Sequence, residues 1–578
     1  MTIRGAATAL ALLLVLAVVT GCASVPGDSP VQVLRQVGRG ESAADLPPPD
    51  GSDPLDMVRL FVTNSASSTD KHGAARRFLT TEAAQSWHDD ASLTILDGQI
   101  DTVPAPGAPD ISTGTTTIRI RGNKIGKLTD DGAFEPDQAT FQLDVVIVRH
   151  DGQWRISQLP PGVVVSLTDF RGNYHDVSPW FVDNSRRLVV ADPRHIPEVP
   201  IRSWAARIVA MVLAGPSLAL NGAVVSMIPT TARLRSNVAA GEDGVLVVDL
   251  TRTGDLDDET RRLIAAQLVM SLAEVNVPKV RLLVDGEPLL PGGPAIWTRD
   301  DVLRFSAEAP VTSNVPTLVV SGGRVLQVGA DAGALPGPFG NGSYAAESAA
   351  ATVDGRRLAV VARSGTGRIL LVSGGADAGV APVPLSAKSM SRPTWTPSGG
   401  EVWTVLDGTS IARVSIDGNG NYRTGDVNDT ELTELGPIGD LRLSRDGMRV
   451  AAVVGGGLYV GAVERSIDGE VAIHNVRRLR ASELTAVVGV DWQTSEQIAV
   501  ITRQQSDQLV MQIAADGLTV QEVPINNLTP PLSAVAASPS RPLLVTDQTG
   551  VWSYVGGEQA TWKLVVGGAP DAIPVYPG

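Results

Sequence analysis

The sequence predicts a multidomain chain: two small α+β domains followed by an all-β propeller of five or six blades. Three observations carry this expectation. Before residue 300 the apolar residues twice follow helical spacing and then strand-like runs. Beyond residue 315 one strand–turn–strand unit returns five times, its turns about 43 to 49 residues apart, the period of propeller blades. A net charge of −15 with 43% hydrophobic residues describes folded globular domains, each with a core of its own.

The chain opens with Arg4, runs uncharged and apolar over 6–19, and reaches Val19-Thr20-Gly21-Cys22. A basic start, an apolar core and small residues at the cut mark a secretory signal over 1–21. The apolar run falls short of the about 20 residues that a membrane helix needs. A small residue directly before the chain's only cysteine resembles the lipobox of bacterial lipoproteins. That resemblance implies lipid attachment at Cys22, a diacylglycerol thioether plus an N-acyl chain such as palmitate, and a place on the cell membrane at its extracytoplasmic face. Two acyl chains anchor stably where one is marginal. An ordinary signal peptide with a chance cysteine is the alternative. With that cysteine committed to lipid, no intramolecular disulfide, cysteine metal site or Cys–His pair is available. Residues 22–52 are polar and include Pro47-Pro48-Pro49, a tether of roughly 30 Å if coil-like.

The first domain is expected over 53–167. Asp53-Pro54 reads as an N-cap with proline at the first helical position, so a helix should run to about residue 63. A second helical stretch is expected over 71–79, with Phe78, Leu79 and Trp87 as buried anchors. After Asp97-Gly98 the pattern turns to strands over 115–121, 139–149 and 154–158. Helices first and an antiparallel sheet afterwards, ending in Asp151-Gly152-Gln153-Trp154-Arg155-Ile156, resemble the cone-shaped fold of the nuclear transport factor 2 type. No paired carboxylates or His–Asp set can be assigned to its cavity, which favours a structural or docking role.

Residues 168–198 read as a connecting hairpin around Asn184-Ser185, packed between domains. The second domain follows over 199–300. A helix over 202–213 stops at Gly215-Pro216. A strand over 244–250 leads to a helix opening with Asp257, Asp258 and Glu259, whose charge suits the positive end of the helix dipole without any catalytic or metal role. Leu263, Ile264, Gln267, Leu268, Ser271, Leu272 and Val275 then recur at helical spacing and give it one mainly apolar face. A strand over 280–284 closes the unit. Leu213-Ala214-Gly215-Pro216, Ile228-Pro229, Val247-Val248-Asp249-Leu250, Ala265-Ala266-Gln267-Leu268-Val269 and Val284-Asp285-Gly286 together resemble the GerMN domain. The resemblance implies a binding or assembly module and no chemistry.

The propeller is expected over 311–578. Its turns are Asp354-Gly355, Pro397-Ser398-Gly399, Asp446-Gly447, Thr494-Ser495 and Pro539-Ser540, each between two strands with a third beyond. Residues 317–320 and 324–328 suggest part of a further blade, closed by 562–565. A pair of β-sandwiches is the competing fold.

Chemistry is hard to find. There is no Gly-x-Ser-x-Gly elbow, no His-Glu-x-x-His helix and no phosphate loop. The six histidines are scattered, which argues against a metal. Asp417-Gly418-Asn419-Gly420-Asn421 opens like a calcium loop, but Tyr422 and Asn428 stand where glycine and glutamate are needed. Basic residues occur as isolated pairs without interleaved aromatics, so nucleic acid is excluded as a partner. The expectation is a protein that is not an enzyme and holds no cofactor.

The order of lipobox, tether, cone, GerMN unit and propeller resembles the LpqB family of actinobacterial lipoproteins over essentially the whole chain. That resemblance implies an accessory lipoprotein of the MtrA/MtrB two-component system. It would bind the ectodomain of the sensor histidine kinase MtrB and modulate signalling in envelope homeostasis and cell division. Two alternatives stay open: binding of a cell-wall glycan or peptide by the propeller face, and a hydrolase or lyase in the propeller channel.

Overall fold

The computed structural model describes residues 51–198, 203–307, 315–329, 332–374, 379–417, 421–504, 507–557 and 560–578. The signal segment, Cys22 and almost all of the tether lie outside the described residues, as do Gly418, Asn419 and Gly420. The described domains all belong to one compact unit, Asp50–Gly578.

The first domain opens with α1 (Pro54–Asn64), capped by Asp53, whose carboxylate accepts from the Leu55 amide at 2.9 Å. Two short helices follow, α2 (Gly73–Arg76) and α3 (Thr81–Ser86). The helix expected over 71–79 is cut to one turn because Asp70, Lys71 and His72 all have positive φ (51°, 54° and 55°), a left-handed run no right-handed helix can contain. Five strands form one sheet: β1 (Leu93–Pro104), β2 (Thr115–Leu128), β3 (Phe134–His150), β4 (Gln153–Gln158) and β5 (Val163–Ser166). Their order is β4-β3-β2-β1-β5, antiparallel except for the parallel β1–β5 edge. Asp97-Gly98, which reads as a boundary in the sequence, is absorbed into β1 as an irregularity in its pairing with β2. Met57, Phe61 and Val62 of α1 share one buried cluster with Ile118, Ile120, Val145 and Ile147 of the sheet, the expected cone-like arrangement.

The expected connecting hairpin divides differently. The helix α4 (Leu167–Asn173) belongs to the first domain, whose core includes Leu167, Phe170 and Tyr174. β6 (Tyr174–Val177) pairs with β9 (Arg194–Pro197). Between them, β7 (Trp180–Asp183) and β8 (Val189–Ala191) form a hairpin buried on both faces. One face, with Trp180, Val182, Val189 and Ala191, enters the core of the second domain. The other, with Phe181 and Val190, meets Met448 and Ala462 of the propeller. The alternation of a strand lets four-residue β7 serve two cores.

The second domain continues with α5 (Trp204–Ala214), stopped at Gly215 (φ 98°), and β10 (Val224–Val225), which joins the hairpin sheet. Short β11 (Arg233–Leu234) and β12 (Ala239–Ala240) both pair with β13 (Leu246–Thr251). α6 (Asp258–Ala273) then crosses over to β14 (Val280–Val284), parallel to β13. Asp257 caps α6, accepting from the Thr260 amide at 2.7 Å, while Asp258 and Glu259 occupy its first turn. The sequence predicts one apolar face for α6, yet Leu263 through Leu272 are all buried. The reason is that α5, the short helix Arg299–Val302 and the hairpin all pack on it, in one core with the sheet residues Val248, Leu250, Val280 and Leu282. Gln267 and Ser271 supply the polar matching on the hairpin side: the Ser271 hydroxyl accepts from the Trp180 amide (2.8 Å), and Gln267 Oε1 accepts from the Met227 amide (2.7 Å).

The remainder is a propeller of six four-stranded blades. Blade one takes its three outer strands from Thr317–Ser321, Arg324–Val328 and Gly333–Ala334 and its innermost strand from Ile573–Val575. The closing strand is not the expected 562–565. Those residues instead form part of the outermost strand of blade six, Thr561–Gly567, paired with Gly550–Val555. Closure by the C-terminus covers the edges at the ring junction.

Candidate functional site

The three domains are locked together by buried contacts at blades four and five. Leu518, beside a turn of blade five and only 1% exposed, is part of the first domain's own core cluster. Beside it, His195 of β9 is buried between two carboxylates, Nδ1 at 2.8 Å from Asp176 of β6 and Nε2 at 2.9 Å from Asp516 of blade five. Burial pulls the His195 pKa down, and the two carboxylates more than reverse this, raising it to about 9. The bond from His195 holds Asp176 below the usual carboxylate range. Arg194, fully buried, ties the first domain to the second: it pairs with Asp131 at 2.9 Å in the β2–β3 turn and with Asp192 at 2.8 Å. Arg449 of blade four donates to the Ala191 carbonyl, and Ser178 donates to Glu496 of blade five at 2.5 Å.

The propeller axis holds charge. Arg442 donates to Asp491 (3.2 Å) and to the Pro393 carbonyl (2.5 Å). Arg392 donates to the carbonyls of Val490 and Val535. Arg445 donates to the carbonyls of Trp492, Ala537 and Pro577, joining blades five, six and one. Burial would raise the Asp491 pKa, but Arg442, Arg392 and Arg445 outweigh it and hold the carboxylate ionised. Burial pushes the Arg442 pKa down to about 10, aided by its arginine neighbours. Desolvation raises Asp440. The three arginines and Asp491 are bonded to each other or to backbone atoms across the ring, while Asp440 accepts the Leu441 amide at 2.9 Å, the geometry of a structural plug.

The turns that link the first two strands of successive blades interlock on one face of the ring. A Cβ on Gly447 (φ 75°) would lie 2.8 Å from Pro397 of blade three, and one on Gly355 (φ 67°) 2.7 Å from Val315. Arginines bridge neighbouring turns at this level: Arg357 to the Gly399 carbonyl, Arg449 to Ser495 and Arg541 to Val315. Above the turns of blades two, three and four, and beneath the β7–β8 hairpin tip, lies an open cleft of about 1010 Å³. It lies beside the buried junction.

Comparison with known proteins places these domains. The family profile described as the LpqB N-terminal domain matches residues 47–171, one described as sporulation and spore germination matches 180–290, and the LpqB beta-propeller domain matches 322–577. Over 590 residues the chain is 32% identical to Lipoprotein LpqB of Rhodococcus opacus, covering 98% of this chain and 97% of the relative. The chain belongs to the LpqB lipoprotein family. Its likeness to family members extends to Lipoprotein LpqB of Mycolicibacterium smegmatis (30% identity, 97% and 98% covered) and of Mycobacterium tuberculosis (31%, 98% and 98%). The expected order of two α+β domains and a β-propeller is therefore the architecture of the family.

Of the residues singled out in the sequence, Cys22 lies outside the described residues. The histidines are not gathered into one site: His195 joins the junction, His474 lies 3.3 Å from both Glu431 and Glu464, and His72 is within 2.9 Å of the Ser65 carbonyl. Among the described residues no group of three or more His, Cys, Asp or Glu is placed to hold a metal ion. Asp417 accepts from the amide and side chain of Asn421, a local turn. Sequence reading missed Arg194, Asp516 and the axial arginines. The turn arginines carried one usable signal, since Arg357, Arg449 and Arg541 each fall one to three residues past a blade turn.

Proposed function

We propose that this family member is anchored through Cys22 on the extracytoplasmic face of the cell membrane, binds the ectodomain of the sensor kinase MtrB, and modulates its output in envelope homeostasis and cell division. The observation that carries the reading is full-length family membership, domain for domain. Among the described residues no helix is long and apolar enough to cross a membrane; the lipid anchor rests on the family name and the lipobox at Cys22. A tethered partner meets a membrane-bound ectodomain at raised effective concentration, and a weak contact is then well occupied. Modulation requires unequal affinity for two kinase states. The bonded axial arginines favour a binding role over an enzyme.

The test is binding of the full-length lipoprotein in lipid nanodiscs to the purified MtrB ectodomain, with kinase phosphorylation in membranes as the second readout. Saturable binding and a changed phosphorylation level are expected. Absence of both sinks the reading. Cys22→Ser should leave ectodomain binding in solution intact while abolishing the effect in membranes. Because Leu518 sits in the first domain's core, the contact face is best mapped by surface substitutions and not by deleting the propeller.

A second reading, a receptor for wall glycan or peptide on the propeller face, is favoured by the open cleft. Retention on purified cell wall in the absence of the kinase is its test.

A further inference from the structure

We propose that the cleft between the hairpin tip and the propeller turns is a binding site for an anionic ligand, carboxylate- or phosphate-bearing, held by the guanidinium groups of Arg187 and Arg356. Its volume of about 1010 Å³ is at the upper end of the range for ligand pockets, about 300 to 1,000 Å³. That suits an oligomeric or multiply charged ligand better than a single small ion.

The charge argument rests on which groups in the lining are already engaged. Asp183 accepts the amides of Arg187 (2.7 Å) and Leu188 (2.6 Å), which shapes the hairpin tip. Asp354 accepts the Thr352 hydroxyl (2.6 Å) and the Arg356 amide (3.0 Å). Asp446 accepts the Met448 amide and pairs with Arg449, both at 2.8 Å. Glu401 pairs with Arg465 (2.9 Å) and Arg413 (3.2 Å). Each carboxylate in the lining is thus committed within the protein.

Two of the cations are less engaged. The Arg187 guanidinium has no hydrogen bond or ion pair among the described residues, and it belongs to the exposed hairpin tip. The Arg356 side chain is 84% exposed, and its one ion pair among the described residues is with Asp354, at 3.7 Å. Arg357 and Arg445 also line the cleft and donate to backbone carbonyls, which satisfy their N–H groups without neutralising their charge. A guanidinium presents a planar fork that matches carboxylate or phosphate in a two-point bond. In a chain of net charge −15 this lining, with five arginines against four carboxylates, is locally cationic.

The site is independent of the kinase reading and is tested without the kinase. Full-length protein in detergent is titrated with tripolyphosphate, with citrate and with neutral maltotriose, by calorimetry at low salt. Saturable binding of at least one anion is expected, with none of maltotriose. Tripolyphosphate alone would point to a phosphate-bearing ligand, citrate alone to a carboxylate-bearing one. The double variant Arg187→Ala/Arg356→Ala should weaken binding tenfold or more with an unchanged melting temperature, since both side chains are exposed. If neither anion binds at millimolar concentration, or if the double variant binds as the parent does, the proposal is wrong. Binding of maltotriose in preference to either anion would overturn it in favour of neutral-glycan recognition.

Discussion

The imidazole of His195 donates through Nε2 to the carboxylate of Asp516, 2.9 Å away and 321 residues further along the chain. Its other nitrogen is held by Asp176, so one buried side chain pins β6 and β9 to blade five. His175 and Arg171 lie near Asp176, and Arg477 faces Asp516. With the folded-state pKa raised to about 9 from an ordinary 6.5, the bonded imidazolium contributes stability that is fully present below about pH 6.5. That contribution is lost as pH rises through 9. The linkage is on the order of 3 kcal/mol.

Raising the pH from 7 to 9.5 should therefore lower the melting temperature of the parent protein. His195→Gln should be less stable at pH 7 and nearly flat over the same interval. Equally steep curves for the two proteins would detach the titration from His195.

Leu518 is a propeller residue inside another domain's core, so Leu518→Ala should cost about 2 to 4 kcal/mol. It should also weaken the coupling between first domain and ring. Calorimetry is expected to show one unfolding transition in the parent separating into two in the variant. A single transition merely shifted downward would mean that the other junction contacts suffice for coupling.

Gly447 and Gly365 both have positive φ, 75° and 59°. A Cβ at 365 meets nothing within 4 Å, whereas one at 447 runs into the Pro397 ring at 2.8 Å. Gly365→Ala should thus cost only the backbone strain, about 1 kcal/mol. Gly447→Ala should cost more, because the interlock between blades three and four must open as well. Denaturant melts of the two variants compare these directly, and equal costs would show that the interlock gives way freely.

The propeller was legible because its turns are local: Thr352 to Arg357 and Ser444 to Arg449 build the same bonded loop from six consecutive residues, and local chemistry repeats in sequence. Its closure was not. Ile573–Val575 is three residues long, and its partner Thr317–Ser321 lies at the other end of the propeller's sequence, so no turn links them. The helices α5 and α6 are marked in the sequence by their caps and apolar spacing. That α6 is buried all round depends on a hairpin placed over it by tertiary packing. The junction was invisible for the same reason. Arg194 with Asp131, and His195 with Asp516, are single residues whose partners are chosen by domain docking, and no spacing rule joins them.

The axial plug makes an unequal demand on its two central residues. Three guanidiniums, Arg392, Arg442 and Arg445, share the axis with Asp440 and Asp491, and Asp491 is the carboxylate that Arg442 and Arg392 both reach, at 3.2 and 3.8 Å. Removing Asp491 leaves buried cations facing each other, while removing Arg442 still leaves Asp491 with Arg392. Breaking a buried pair from one side typically costs about 3 to 5 kcal/mol. Asp491→Asn should lie at or above that range, because its single oxygen can accept only one of the two amides, Trp492 and Ala537, that the two carboxylate oxygens accept. Arg442→Met should cost less. The double variant Arg442→Met/Asp491→Asn should cost less than the sum of the two, because losing Asp491 then leaves two cations at the axis instead of three. Denaturant melts of the four proteins close the cycle. Additive costs would mean that the pair acts through its backbone bonds alone and that charge balance at the axis is immaterial.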